Sequence, residues 1–295
     1  MRAVRSALGR TCVLTRYAPA PPKSPIAAGA GELVPLDPDH PGFRDAVYRA
    51  RRNEIARMAL AYREGDPLPR VSYTPEEEAV WRAVWEKLTP LHERLAAAPW
   101  RESAEALSLD RTRVPQLADV SETLRAGSGF RMIPVAGLIS GRGFLSAMAE
   151  NVFLATQYVR HHSVPLYTPE PDVVHELVGH AAGLFHPDIV RLSRLFGEAA
   201  RRAGEATMKR LELAYWYTVE FGVIEEKGEL KAWGAGLLSS FGELGDLQRH
   251  PNLVPLDLEV ASRTPYDPTQ YQKTLFVSPS WDRMVGDVSD WLKTI

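Results

Sequence analysis

The sequence predicts a mainly α fold, a domain of packed helices carrying a few short β-strands. Three observations in its 295 residues point there. Apolar residues recur at helical spacing over long stretches, helix-start signals stand ahead of those stretches, and β-rich segments are short and come late. There is no internal repeat and no run of coiled-coil heptads.

The first thirty-one residues carry Arg2, Arg5, Arg10, Arg16 and Lys23 with no acidic residue before Glu32. Arginines interrupt every apolar stretch that a secretory leader would need. With the proline-rich run 18–25 behind them, residues 1–31 read as a mobile lead-in and 32–295 as a single domain. From about residue 43 the pattern turns helical, with Tyr48, Ile55, Met58 and Tyr62 on one face that should meet the core. The next helix starts with Thr74 as N-cap, Pro75 at the first helical position and Glu77 three residues past the cap. It continues through Val80, Val84, Leu88, Leu91 and Leu95, and Pro90 is expected to kink or divide it. Further helices are expected over 141–160, 172–182, 187–203 and 205–226, with strands near 230–233 and 273–278.

Bulk properties exclude several classes of function. Charged residues make up 24% and hydrophobic ones 45%, and the net charge is −2. Nothing here calls for nucleic acid or a membrane surface, and no stretch approaches the roughly eighteen apolar residues of a membrane span. Cys12 is the only cysteine, so an intrachain disulfide and a thiolate metal cluster are both out of reach. A cytoplasmic protein with small-molecule partners is the expectation.

The chemistry concentrates in Pro169 to His180, which reads PEPDVVHELVGH. His175 and His180 stand five apart with Glu176 between them, unlike the four-residue spacing of zinc proteases. Five residues of ideal helix turn about 500°, which leaves the two side chains roughly 140° apart. Both can reach one ion only if the helix is irregular or the metal lies beyond its end, and Gly179 would permit irregularity. Two histidines packed in the core remain the alternative on spacing alone. Glu220 adds a carboxylate to the apolar run YWYTVEF (Tyr215 to Phe221), with Leu213, Trp216, Val223 and Ile224 as helical neighbours and no Lys or Arg three or four residues away. Such a charge costs several kcal/mol unless it is paired or binds a metal. Two imidazoles and one carboxylate make the facial triad of Fe(II) sites, with zinc on His₂Glu as the chemical rival and an arginine partner from another helix as the structural one.

Four segments in order then carry a resemblance: GFRMIPVAGLISGRGF (Gly129 to Phe144), QYVRHHSVPLYTPEPDVVHELVGH (Gln157 to His180), YWYTVEFG (Tyr215 to Gly222) and AWGAGLLSSFGEL (Ala232 to Leu244). Together with HPGFRDAVYRARR (His40 to Arg52), they resemble the catalytic domain of the tetrahydropterin-dependent aromatic amino acid hydroxylases over roughly residues 35–285. The resemblance implies His175, His180 and Glu220 as ligands of Fe(II), with O₂ as co-substrate. It implies a pterin site lined by Gly137, Leu138 and Ile139, with Phe144 stacking on the ring and Glu176 and Tyr215 near its reactive edge. Glu176 would orient pterin or a metal-bound water as a catalytic residue rather than a ligand. Arg160 would grip the carboxylate of the amino acid, and Tyr167, Thr168, Pro171, Trp216, Gly236 and Ser239 would complete the substrate pocket. Gly141 and Leu154 depart from animal members, which usually carry serine and often histidine there.

Trp216 resembles the phenylalanine and tyrosine enzymes, whereas the tryptophan enzymes usually have phenylalanine. The loop Tyr266-Asp267-Pro268-Thr269 aligns with one that helps to separate phenylalanine from tyrosine specificity, with Pro268 facing the pocket and Asp267 turned away. Phenylalanine is therefore the expected substrate, ahead of tyrosine, tryptophan or a meta-hydroxylating variant. A His₂Glu zinc hydrolase with Glu176 as general base, and a non-catalytic pterin- or amino-acid-binding protein, are the readings from other classes. Against animal members the sequence has neither a long N-terminal regulatory domain nor a C-terminal oligomerisation helix, so a monomer with unregulated kinetics is expected.

Overall fold

The computed structural model describes residues 33–268 and 270–295. The expected lead-in at 1–31, and Thr269 of the specificity loop, lie outside the described residues. Helix α1 spans Ala46–Ala61, and the Asp45 side chain accepts from the Val47 and Tyr48 N–H groups at its start. Helix α2, Pro75–Leu95, opens with the full capping box of Thr74 and Glu77. Pro90 does not divide it, contrary to expectation. Residues 86 and 90 are both exposed, on the solvent side of the helix, and the helix runs on through the proline.

Two helices that the sequence reading did not delimit follow, α3 (Ala98–Leu107) and α4 (Leu117–Gly127). The helix expected over 141–160 ends at Met148, less than half the expected length. Strand β1 (Arg131–Pro134) and α5 (Gly141–Met148) lead into β2 (Val152–Ala155), which pairs with β1 in parallel. Asn151 turns the chain at a φ of 56°, and the wholly buried run VFLA then satisfies strand as well as helix, so periodicity could not tell the two apart. A π-helical segment runs from His175 to Ala181, followed by α6 (Pro187–Arg202) and α7 (Glu205–Tyr215). The helix expected over 205–226 passes into a second π-helical segment, Trp216–Glu220, and then into strand β3 (Val223–Glu226).

Strand β4 (Glu229–Ala232), short helices α8 (Ala235–Leu238) and α9 (Phe241–Asp246), β5 (Leu253–Pro255), α10 (Leu258–Ala261), β6 (Leu275–Ser278) and α11 (Trp281–Thr294) complete the order. The late strands form one sheet in the order β4-β3-β6-β5, antiparallel at β3/β4 and parallel elsewhere. Trp81, Trp100, Phe130, Phe153 and Phe196 anchor a core that runs under both π-helical segments. Helices α5 and α6 pack closest, because Gly197 brings its backbone against the chain at Ala149, where a Cβ would lie 2.2 Å from the amide nitrogen. Gly197→Ala should therefore cost about 1–3 kcal/mol through overpacking, seen as a lower urea midpoint at unchanged m-value. An unchanged midpoint would show that the two helices are free to part.

Candidate functional site

The two π-helical segments answer the spacing problem. An i→i+5 register stacks residues five apart, and it carries His175 and His180 onto one side of the helix. The second segment delivers Glu220 to the same point from the end of α7. His180 Nε2 lies 3.0 Å from His175 Nε2 and 3.0 Å from Glu220 Oε1, and His175 Nε2 lies 3.5 Å from Glu220 Oε2. Adjacent ligands about 2.1 Å from one ion at octahedral angles stand roughly 3.0 Å apart, so these donors fit a single metal on three neighbouring corners. Among the described residues Glu220 has no arginine partner; what it faces is imidazole.

Electrostatics agree with a cation-binding role. Burial lowers the His175 imidazole to about 4, which keeps it neutral and ready to donate a lone pair. Burial also works against charge on Glu220 and His180, but each is the other's partner: Glu220 ends below the usual carboxylate range and His180 above the usual imidazole range. His175 Nδ1 lies 2.9 Å from Ser239 Oγ, an outer contact of the kind that orients a metal-bound ring. Ser239 in turn donates to the Ala235 carbonyl.

A cavity of about 290 Å³ opens over this triad. Leu138, Arg160, Tyr167, Thr168, Pro171, Trp216, Gly236 and Ser239, all read from the sequence as site residues, line it together with His175 and Glu220. Gly137, Ile139, Phe144, Glu176, His180 and Tyr215 do not line it. Phe144 is half-buried, with its ring edge-on to Phe153 and Tyr215. Ile139 packs against the same small apolar cluster as Phe144, and Gly137 passes Val34 so closely that a Cβ would lie 3.3 Å from it. These residues form a flank beside the metal point rather than the cavity itself.

Arg160 is almost wholly enclosed, and its Nε and Nη2 donate to the two oxygens of Asp172 at 2.9 and 2.8 Å. Burial pushes the Asp172 carboxyl up, but the guanidinium outweighs it and holds the group below its usual range. The pairing leaves Nη1 outside the fork, and Arg160 is one of the residues that line the cavity. Among the described residues Thr168 Oγ1 is buried with no hydrogen-bond partner, as is the Tyr215 hydroxyl, which burial and then the Glu220 and Glu176 carboxylates push far up. Glu176 turns away from the triad to accept from the Thr156 N–H and hydroxyl, both at 3.0 Å, and burial raises its carboxyl to about 7.

Trp216 is pinned from two sides. Its ring stacks on Tyr266 at 3.8 Å and 8°, and its Nε1 donates to Gln272 Oε1 at 2.7 Å. Pro268 lines the cavity and Asp267 does not. The sequence reading missed Glu243, a half-buried carboxylate on the cavity wall that accepts from the Gln272 N–H at 2.8 Å and that burial pushes up to about 7. It had quoted the segment AWGAGLLSSFGEL, but nothing local set this glutamate apart from a solvated helical one.

The pattern of the biopterin-dependent aromatic amino acid hydroxylases matches residues 32–295. This chain belongs to that family. Phenylalanine-4-hydroxylase of Caenorhabditis elegans is 42% identical over 265 residues, 88% of this chain and 58% of the relative. Human tyrosine 3-monooxygenase is 44% identical over 267 residues, 88% and 49% respectively. The chain thus spans about half to three-fifths of the length of these relatives. Phenylalanine hydroxylase from Chromobacterium violaceum, in a structure with bound iron(III) and 7,8-dihydrobiopterin, superposes with a TM-score of 0.70 at 31% identity, covering 76% of this chain and 82% of that one. The enzyme from Legionella pneumophila gives 0.68 at 31%, covering 76% and 92%. Among the described residues no helix is long and apolar enough to cross a membrane.

Glu220→Gln keeps the shape of the side chain but removes the charge that balances a dication. It should cut iron retained after gel filtration from near one per chain to a small fraction, by elemental analysis. Full retention would mean that the carboxylate is not a ligand.

Proposed function

We propose that this chain is an Fe(II)- and tetrahydropterin-dependent monooxygenase that hydroxylates the ring of a free aromatic L-amino acid, converting phenylalanine to tyrosine. The observation that carries this reading is one cavity lined by His175 and Glu220 of the His₂Glu cluster, by the Arg160 guanidinium and by the Trp216 indole. His175, His180 and Glu220 would hold the iron, while Leu138, Phe144 and the flank 137–139 would hold the pterin. Iron, O₂ and reduced pterin together supply the oxidising chemistry.

The chain's own residues supply placement. Arg160 is held by the Asp172 fork, so its guanidinium would meet a substrate carboxylate already oriented. Thr168 Oγ1, buried without a partner, gains one if a substrate oxygen or nitrogen comes within reach. The α-ammonium group needs an acceptor. Of the acids on the cavity wall, Glu170 is paired with Arg52 and Glu220 faces the imidazoles, which leaves Glu243, whose partners are neutral. The stacked Trp216 and Tyr266 form the wall for the ring, and the apolar lining keeps water from the reacting centre.

Substrate choice follows from the wall. An indole held by stacking and by Gln272 leaves little room for a bicyclic ring, and Pro268 presents no acceptor for a phenolic hydroxyl. Sequence identity does not separate phenylalanine from tyrosine relatives, which lie at 42–43% and 40–45%. With Fe(II), tetrahydropterin and O₂ supplied, kcat/KM should fall in the order phenylalanine, tyrosine, tryptophan, with tyrosine as the product from phenylalanine by chromatography. Trp216→Phe should raise tryptophan relative to phenylalanine. Tyrosine as the best substrate would overturn the substrate assignment, and no turnover of any of the three would overturn the activity.

The two ends of the amino acid can be tested apart. Arg160→Lys loses a planar donor and should raise the KM for phenylalanine about ten-fold or more. Glu243→Gln should weaken phenylalanine but not 3-phenylpropanoate, which lacks the ammonium group, when both are measured as ligands of the Fe(II) enzyme. Equal weakening of both would remove Glu243 from substrate binding.

A further inference from the structure

A second group of ligand-type side chains gathers away from the cavity. Asp45, His161 and His162 bring a carboxylate oxygen and two imidazole nitrogens within 4.8 Å of one another. Asp45 uses Oδ1 to cap α1, accepting from the Val47 and Tyr48 N–H groups, which turns Oδ2 towards His161 Nε2 at 3.3 Å. His162 Nδ1 in turn lies 3.3 Å from Glu76 Oε2, in the first turn of α2. The cluster therefore assembles two imidazoles and two carboxylates from three separate stretches of chain.

Its contacts satisfy hydrogen bonds, and their separations also fit an ion. Two ligands about 2.0–2.1 Å from a tetrahedral centre stand roughly 3.3 Å apart, the separation of Asp45 Oδ2 and His161 Nε2. His161 Nδ1 lies 2.7 Å from Ser163 Oγ. The Ser163 N–H also points at Nδ1, at 3.3 Å, so without an ion Nδ1 accepts and Nε2 carries the hydrogen towards Asp45. An ion on Nε2 would require the hydrogen to move to Nδ1, where the Ser163 hydroxyl can accept it. The rings of His161 and His162 lie 4.3 Å apart and tilted by 31°, so His162 must swing to bring a nitrogen into line. Its side chain is 41% exposed and that of Glu76 64% exposed, so both have room to move. Two carboxylates also neutralise a dication. Arg51, a cation on the same helix as Asp45, is occupied by Glu54 and Glu77.

We propose that Asp45, His161 and His162, joined by Glu76, form a second, exchangeable site for a divalent cation of the zinc class. The donor set is nitrogen and oxygen without thiolate, which Zn(II) accepts, and its open face leaves a position for water. Arg160 immediately precedes His161, and the Arg160 amide donates to Asp172 at 2.9 Å. A bound ion would tie the starts of α1 and α2 to the stretch that carries the guanidinium. The inference does not depend on the proposed reaction.

The test loads the full chain with Fe(II) under anaerobic conditions, adds Zn(II), removes excess metal by gel filtration and measures both metals by mass spectrometry. Zinc should reach one per chain with iron retained, and the thermal midpoint should rise with zinc concentration. Exposed His162→Gly should lower zinc affinity roughly ten-fold or more, as should Asp45→Asn, which preserves the helix cap. Zinc gained only in proportion to iron lost would place it in the first site and overturn the proposal. So would zinc retained equally by wild type and His162→Gly, or no zinc retained at all.

Discussion

Everything at the cavity depends on a wider helical turn. Two imidazoles five residues apart diverge on an ordinary helix and converge at His175 and His180 because the backbone there takes the i→i+5 register. That register packs its backbone less well and survives only where neighbours hold it. Asp172 accepts from the His175 N–H at 3.1 Å, fixing the entry. Gly179 lets the segment press against α8, where a Cβ would stand 2.7 Å from the Ala235 carbonyl. The same helix α8 leads directly to Ser239, which orients His175. The metal point and the backbone that shapes it are one construction.

Asp172 also shows how charge is spent in this interior. A buried guanidinium without its partner is costly, and a buried pair is worth having only if its geometry is good. Here one carboxylate satisfies the Arg160 side chain, the Arg160 amide and the His175 amide together. The position of the cationic wall and the start of the ligand-bearing segment are thereby set by the same two oxygens. A shift in either would be felt at the other.

The mainly α character, the capping box at Thr74 and the core face of α2 were legible because they are local. His175, His180 and Glu220 were legible for a different reason: charge and imidazole stood where apolar packing had no use for them, and Gly179 hinted at an irregular turn. The buried run at 152–155 misled, since a short, wholly apolar segment has no period that separates strand from helix. Likewise the passage from α7 through a π-helical turn into β3 cannot be read from YWYTVEFGVI, where tertiary contacts choose the backbone. Pro90 does not divide its helix, and it stands on the exposed side, where core packing on the opposite face carries the helix through. Glu243 and the Asp172 fork escaped notice because their partners, Gln272 and Arg160, lie 29 and 12 residues away.

The stack of Trp216 on Tyr266 joins two parts of the chain under unequal constraint. One ring follows directly from the helical segment that supplies Glu220, where the backbone register brings the carboxylate to the two imidazoles. The other sits on a loop without regular structure. Ancestral copies of such a protein could exchange that loop, and with it the shape of the wall, while leaving the metal point intact. Diversification of substrate preference would then be evolutionarily cheap and loss of the metal chemistry expensive, so descendants would drift in what they accept long before they drift in what they do to it.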